Sequence, residues 1–319
     1  MRNCEYVSVF APYITQFIDF KRNLGYKFEC VAYLRLFDRF AVENAIQSIE
    51  LTRNDCDMWA EKRPNEADIT RYKRIGAVRN LSQFMNAMGV SSYVPRLPGN
   101  CKSTFTPHIY SYDEINRFFC ECDKLVVTQR TFTAPLYPAL FRLLYGTGIR
   151  LGEALALRCK DVNLDDNIII LRDTKNGEER IVPISDSLCG VLIEFATVYV
   201  ENRPDSYFFT QRNRKPISHS NVYEPFHSLL LKSGIPYRGR ENGPRIHDFR
   251  HTFSVHSLAK MCENGLDLYY SLPILSKYLG HKSLEATDKY VRLTQEMFPS
   301  VLEKTNKVCA YIFPEVKQL

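Results

Sequence analysis

Ile168-Ile-Ile-Leu-Arg172 and Arg180-Ile-Val-Pro-Ile184 stand on either side of Asn176-Gly177. β-branched residues dominate both runs, and Asn-Gly readily takes the positive φ that a tight hairpin turn demands. The pattern predicts two short antiparallel strands joined at that turn, with Lys175 at its mouth. No other part of the chain carries so clear a strand signal. The expected fold class is therefore mostly α with a small antiparallel β-sheet or hairpin, an α+β arrangement.

Outward from the hairpin the periodicity is helical. Ser111-Tyr-Asp-Glu114 is a capping-box pattern that opens a helix, and helical texture continues through Tyr145. It resumes from Asn221, with loops expected at 239–244 and near Pro273. Near the N-terminus, Ile75, Val78, Leu81, Met85 and Met88 recur every three or four residues, predicting a helix over Thr70–Met88 that Gly89 ends. Two further helices are expected over Tyr13–Leu24 and Val31–Asn44. Between Val94 and Pro107 lie three prolines, a glycine and little period, the texture of a linker. The expected division is a helical domain over 1–95, a linker over 96–110 and a second domain over 111–319.

Composition narrows the classes. The 319 residues are 45% hydrophobic and 24% charged, enough apolar content for ordinary cores and against disorder. Ten cysteines include no C-x-x-C pair, which argues against zinc ribbons and for reduced thiols. No secretory leader and no membrane-length apolar run is visible. A cytoplasmic location is expected, with no membrane partner. The net charge of +6 is concentrated: Gln211–Arg250 holds eight Lys or Arg against three Asp or Glu. A second basic cluster lies at Lys62, Arg63, Arg71, Lys73, Arg74 and Arg79. Two such clusters on two domains suggest a clamp around a polyanion. The expected contacts are Arg71, Lys73, Arg74 and Arg79 in the first domain and Arg212, Arg214, Lys215 and Arg245 in the second.

Three stretches carry the chemistry. They are Gly148-Ile-Arg150-Leu-Gly-Glu153, His247-Asp-Phe-Arg250-His251, and Leu279-Gly-His281 followed nine residues later by Tyr290. With Lys175 they supply two arginines, histidines, a lysine and a tyrosine, a set suited to attack on a phosphodiester without metal. Guanidinium forks meet the non-bridging oxygens of a pentacoordinate phosphorane and stay charged at neutral pH. A phenol with an ordinary pKa of about 10 needs cations and a histidine to help it deprotonate. A lysine on the hairpin can give the departing oxygen its proton. Glu153 reads as an ion-pair partner for Arg150. His251 and His256 read as structural residues of the helix that carries Arg250.

Other chemistries fit less well. His247 and His251 have the spacing of a zinc pair, but Asp248 stands where a zinc protease places its glutamate. Gly146, Gly148 and Gly152 do not make a dinucleotide fingerprint, and there is no Walker A loop. No metal and no cofactor is expected.

In order and spacing these motifs resemble the tyrosine recombinases, the phage integrase family, over roughly Ser111 to Leu293. The resemblance implies that Tyr290 is the nucleophile and that Arg150, Lys175, His247, Arg250 and His281 complete the catalytic set. It implies a core-binding DNA domain over 1–95 and a catalytic domain over 111–319 ending in a C-terminal exchange tail, within which Val301–Phe313 is an apolar stretch. It also implies double-stranded DNA as substrate, a 3′-phosphotyrosyl intermediate and self-association into a tetramer on DNA. A mobile genetic element is the expected context, with nucleoid association, and a partner recombinase or directionality factor is left open. The interval from Arg250 to His281, 31 residues, is longer than in compact members. The alternatives are a catalytically silent DNA-binding protein on the same fold, or a type IB topoisomerase-like nicking and closing enzyme.

Overall fold

A computed structural model describes residues 6–26, 31–99, 106–126, 134–172, 179–201, 203–211, 214–239 and 243–281, together with 287, 289–291 and 293. Its contacts divide the chain into two units, 1–104 and 105–319.

The first unit is helical: α1 (Ala11–Asn23), α2 (Val31–Glu43), α3 (Arg53–Ala60) and α4 (Asp68–Ala87). The three expected helices are present as α1, α2 and α4. The fourth, α3, was not legible because it is short and buries only Cys56 and Trp59. Its start is nonetheless well specified, since Thr52 and Asp55 form a reciprocal capping box. α4 packs on the other three through Ala77, Val78, Leu81 and Met85, and Ile75 of the expected stripe is buried as well. Met88 caps α4 and is 56% exposed, so the buried stripe ends at Met85.

Arg74 corrects an expectation. It lies on the buried side of α4, 1% exposed, and cannot face a polyanion. Its Nε and Nη2 donate to the Glu66 carboxylate at 2.8 and 2.9 Å, Nη2 also donates to the Glu61 carbonyl at 2.9 Å, and Nη1 donates to the Trp59 carbonyl. The guanidinium also lies 4.7 Å from the Trp59 ring centroid. Arg71 donates from Nε to the Ala60 carbonyl at 2.8 Å. Two arginines of the basic cluster thus satisfy the open carbonyls at the end of α3, where a cation also meets the negative pole of the helix.

The second unit holds α5 (Tyr112–Asp123), α6 (Leu136–Thr147), α7 (Leu151–Ala156), a 3-10 turn (Cys159–Asp161), β1 (Val162–Asn163), β2 (Ile168–Leu171), β3 (Arg180–Pro183), α8 (Asp186–Tyr199), α9 (His219–Lys232), α10 (Asp248–Glu263) and α11 (Leu268–Leu279). The fold is mostly α with a three-stranded antiparallel sheet in the order β1-β2-β3. Ser111 and Glu114 form the capping box at α5. β2 and β3 pair with Ile169 opposite Val182 and Leu171 opposite Arg180. Ile169, Leu171 and Val182 face the core while Ile181 is 62% exposed, the alternation a half-buried sheet requires. Lys175 and the Asn176-Gly177 turn lie outside the described residues, as do Arg212 and the tail from 294 onward. Pro273 lies inside α11, not in a loop as expected. It sits on the exposed side while Leu275 and Leu279 bury the opposite one, so packing overrides the interruption.

α10 is the central element, packed against α6 and α11. Phe249 anchors it among Phe118, Phe141 and Phe226, with ring centroids 5.3 to 6.0 Å away. Among the described residues no helix is long and apolar enough to cross a membrane.

Candidate active site

Three helix ends converge in the second unit. α6 stops at Gly148, which takes φ 62° in the left-handed region. A Cβ at Gly148 would lie 2.4 Å from Cδ1 of Phe253, so both the backbone angle and the close approach of α10 require glycine. α10 starts beside it with His247 as its N-cap residue. α11 ends at Leu279, and Gly280, at φ 67°, turns the chain toward His281.

Arg250 joins these ends. It is 2% exposed, and its Nη1 donates to the Gly148 carbonyl at 2.7 Å. Its Nη2 donates to the Leu279 carbonyl at 2.8 Å and to His281 Nε2 at 3.0 Å. Because a guanidinium only donates, His281 Nε2 must accept, and the ring proton resides on Nδ1, which faces Thr287 Oγ1 at 2.8 Å. Burial and the nearby Arg150 lower Arg250 to about 10, leaving it charged at neutral pH.

Arg150, at the start of α7, is a quarter exposed and held by Glu153: Nη1 donates to Oε1 at 2.8 Å, and the Arg150 backbone N–H donates to Oε2 at 2.9 Å. Arg180 of β3 donates to both oxygens of the same carboxylate, at 3.2 and 2.8 Å. Burial acts to raise the Glu153 carboxyl, but Arg180 and Arg150 outweigh it and hold it below its ordinary value.

Tyr290 lies in helical backbone, and its side chain is 1% exposed. Its hydroxyl is 3.1 Å from His251 Nδ1. Its ring stacks on His281 with centroids 6.2 Å apart, and Lys289 Nζ lies 5.4 Å from the ring centroid. Burial raises the phenol, while Arg250, a hydrogen bond with Ser254 and Arg150 pull it back. The net shift is upward, so this phenol is protonated at neutral pH.

The histidines are neutral. His281 is pushed down to about 4 by burial and by Arg250 and Arg150. His247, whose ring opens to solvent on one side, is pushed down to about 4 by desolvation on the other and by Arg250, Arg245 and Arg150. His251, 5% exposed, falls to about 2 through burial, with His247 and Lys289 adding to it. So many cations facing neutral imidazoles leave the site short of an anion. Arg150 and His247 open onto a cavity of about 420 Å³ that His219 and Tyr223 also line, a space that can admit a phosphate. Among the described residues no His, Cys, Asp or Glu cluster can hold a metal ion.

The structure thus brings together Arg150, His247, Arg250, His281 and Tyr290. It adds His251, which the sequence presented as structural. The i, i+4 step from His247 could have placed both imidazoles on one face, and their rings lie 4.9 Å apart. Arg180 carried no motif. Of the basic contacts expected in this unit, Arg214 pairs with Glu201, and Arg245 pairs with Asp248 at 3.1 Å.

Residues 111–297 match the model of the phage integrase family. A chain of Sinorhizobium fredii described as integrase/recombinase y4rB is 28% identical over 94% of this chain and 98% of its own length. Tyrosine recombinase XerD of Oceanobacillus iheyensis is 27% identical over 87% of each chain. The fold is shared with lambda integrase, solved as a dimer on a COC′ core site (TM-score 0.63, 15% identity, 89% of this chain and 77% of that one). It is shared equally with the lambda integrase tetramer on a Holliday junction (TM-score 0.60, 15% identity, 88% and 80%).

Proposed function

The chain belongs to the phage integrase family of tyrosine recombinases, and from this premise we propose that it cuts and rejoins duplex DNA through a 3′-phosphotyrosyl bond to Tyr290, integrating or excising a mobile element. The observation that carries the reading is the Tyr290 hydroxyl, held 3.1 Å from His251 in a site where Arg250 also binds His281. Arg150 and Arg250 take the non-bridging oxygens of the scissile phosphate, His247 adds a hydrogen bond to them, and His281, whose Nε2 accepts from Arg250, holds that guanidinium in place. The Tyr290 oxygen bonds to phosphorus as its proton passes to His251, and the bond from phosphorus to the 5′ oxygen breaks. Lys175 supplies the proton to that leaving oxygen. Resealing is the reverse, so the phosphotyrosyl bond conserves the energy of the broken diester. Approach of the anionic phosphate offsets the crowded cations that lower His251, raising the proton affinity of that imidazole so that it can take the proton Tyr290 gives up.

Arg71, Lys73, Arg79, Arg214, Lys215 and Arg245 are proposed phosphate contacts, with Arg212 beside them in sequence; Arg74 is withdrawn. Lambda integrase has been solved as a tetramer on a Holliday junction, and we extend that assembly to this chain. A silent DNA-binding protein on the same fold is disfavoured by the intact set of arginines, histidines and tyrosine.

The test uses a nicked duplex carrying the sequence that the Tyr290→Phe protein retains from a pool of random duplexes. The wild-type chain should form a covalent adduct on it in excess EDTA. Arg150→Ala and Arg250→Ala should each slow that step by on the order of a hundredfold or more, as loss of one preorganised donor does. Adduct formation that EDTA abolishes would overturn the metal-free mechanism.

A further inference from the structure

Glu153 is a buried carboxylate shared by two guanidiniums, and only one of them, Arg150, has a place in the chemistry above. The other, Arg180, is the first residue of β3, paired across the sheet with Leu171. Its side chain is 13% exposed and reaches both Glu153 oxygens. It also passes beneath the turn that leads to His281: a Cβ at Gly280 would lie 3.2 Å from Arg180 Nη1 and 3.4 Å from Cζ.

Charge arithmetic gives this contact a consequence. An isolated Arg150–Glu153 pair is neutral and offers an incoming phosphate a dipole. With Arg180 on the same carboxylate the group carries one net positive charge, in a site where little water screens it. We propose that Arg180 is a positioning residue that offsets the charge of Glu153, so that Arg150 meets the scissile phosphate as a full cation. The proposal rests on the phosphate-binding role given to Arg150 above. The cation is felt across the site, since Arg180 is among the groups that disfavour protonation of both Arg250 and His281. An approaching phosphate is stabilised by the same field.

The experiment compares wild type, Arg180→Lys, Arg180→Gln and Arg180→Gln combined with Glu153→Gln. Each is measured for single-turnover adduct formation on saturating nicked duplex of the selected sequence, for duplex affinity and for melting temperature. If charge is what matters, Arg180→Lys should stay within about threefold of wild type, while Arg180→Gln slows by about tenfold or more. The affinity for duplex should change little. The double variant should recover most of the lost rate, because removing the carboxylate charge restores the net cation. Stability alone cannot mimic this result. The double variant removes the charge of a buried carboxylate that has lost one of its two guanidinium partners, so its melting temperature should rise in any case. A double variant that melts like wild type yet cuts no faster than Arg180→Gln would overturn the proposal. So would an Arg180→Gln protein that cuts as fast as Arg180→Lys. Arg150→Ala run alongside separates the two levels: if it cuts at the wild-type rate, the phosphate-binding role itself fails. If it is slow while Arg180→Gln is not, only the proposal fails.

Discussion

At the scale of single residues, the site is organised by what each group can donate or accept. Arg250 has only N–H groups, so its contact with His281 fixes that ring's tautomer and leaves Thr287 facing Nδ1. His251 is the group whose meaning changed most between sequence and structure. It is buried against the Tyr290 hydroxyl and neutral, with its proton affinity depressed to about 2. His251→Ala should therefore slow adduct formation by about a hundredfold, the contribution of a positioned proton acceptor, with duplex affinity unchanged. An unaltered rate would return His251 to a structural role. The same residue gives a stability prediction. Between pH 6.5 and about 2 the imidazole is protonated in the unfolded chain and neutral in the folded one, so the unfolded state binds more protons and stability falls as pH drops. From pH 6.5 to 5 that loss is about 2 kcal/mol for His251, at ~1.4 kcal/mol per unit. His251→Gln should flatten the fall in denaturant midpoint over that range. An unchanged slope would place the proton elsewhere.

At the scale of elements, the helix ends do the positioning. Gly148 ends α6, offers its carbonyl to Arg250 and admits Phe253 at a distance no side chain allows. Gly148→Ala should destabilise the protein by about 1–3 kcal/mol through backbone strain alone, with the clash adding to it. Thermal unfolding checks the cost, and a variant as stable as wild type would contradict the packing described. The hairpin is the element that carries Lys175, and its tip lies outside the described residues, so chemistry must report on it. A duplex with sulfur in the 5′-bridging position has a leaving group that needs no proton. It should restore cutting by Lys175→Ala but not by Arg150→Ala. Equal failure of both variants would make Lys175 a phosphate contact.

Much of this was legible beforehand. The strands were visible because β-branched runs flank Asn-Gly, and α4 because its apolar residues keep a helical period. The candidate site residues Arg150, His247, Arg250, His281 and Tyr290 were visible because the three stretches that carry them stand in a fixed order. What was not legible has a common cause. α3 has too few apolar residues for a period, and Arg180 and His251 gain their roles only from groups distant in sequence. Arg74 misled because a charged residue on a helix ordinarily faces water. Here Glu66 and the carbonyls at the end of α3 satisfy it within the fold.

At the scale of the whole molecule, both units carry basic residues, and the proposed grip on DNA is electrostatic. Each neutralised phosphate releases counterions, so log K should fall against log salt by about 0.9 per contact. Replacing Arg71 and Lys73 together by alanine should flatten that slope by about two contacts' worth across all sequences. Arg74→Ala should behave differently. It strands the buried Glu66 carboxylate and lowers the stability of the first unit, by about 3 kcal/mol or more, without a specific change in slope. A salt titration of both proteins separates these outcomes, and a flattened slope in a well-folded Arg74→Ala would restore that residue to the DNA surface.

The central claim is that this network serves one oxygen, the Tyr290 hydroxyl. The most direct measurement is the site of the adduct itself. The wild-type chain is trapped on the nicked duplex, digested with protease and nuclease, and the nucleotide-bearing peptide is sequenced by mass spectrometry. The expected product is a 3′-phosphonucleotide on Tyr290, with no adduct of any kind in Tyr290→Phe. A nucleotide carried by any other residue, or an adduct that survives in Tyr290→Phe, would contradict the claim.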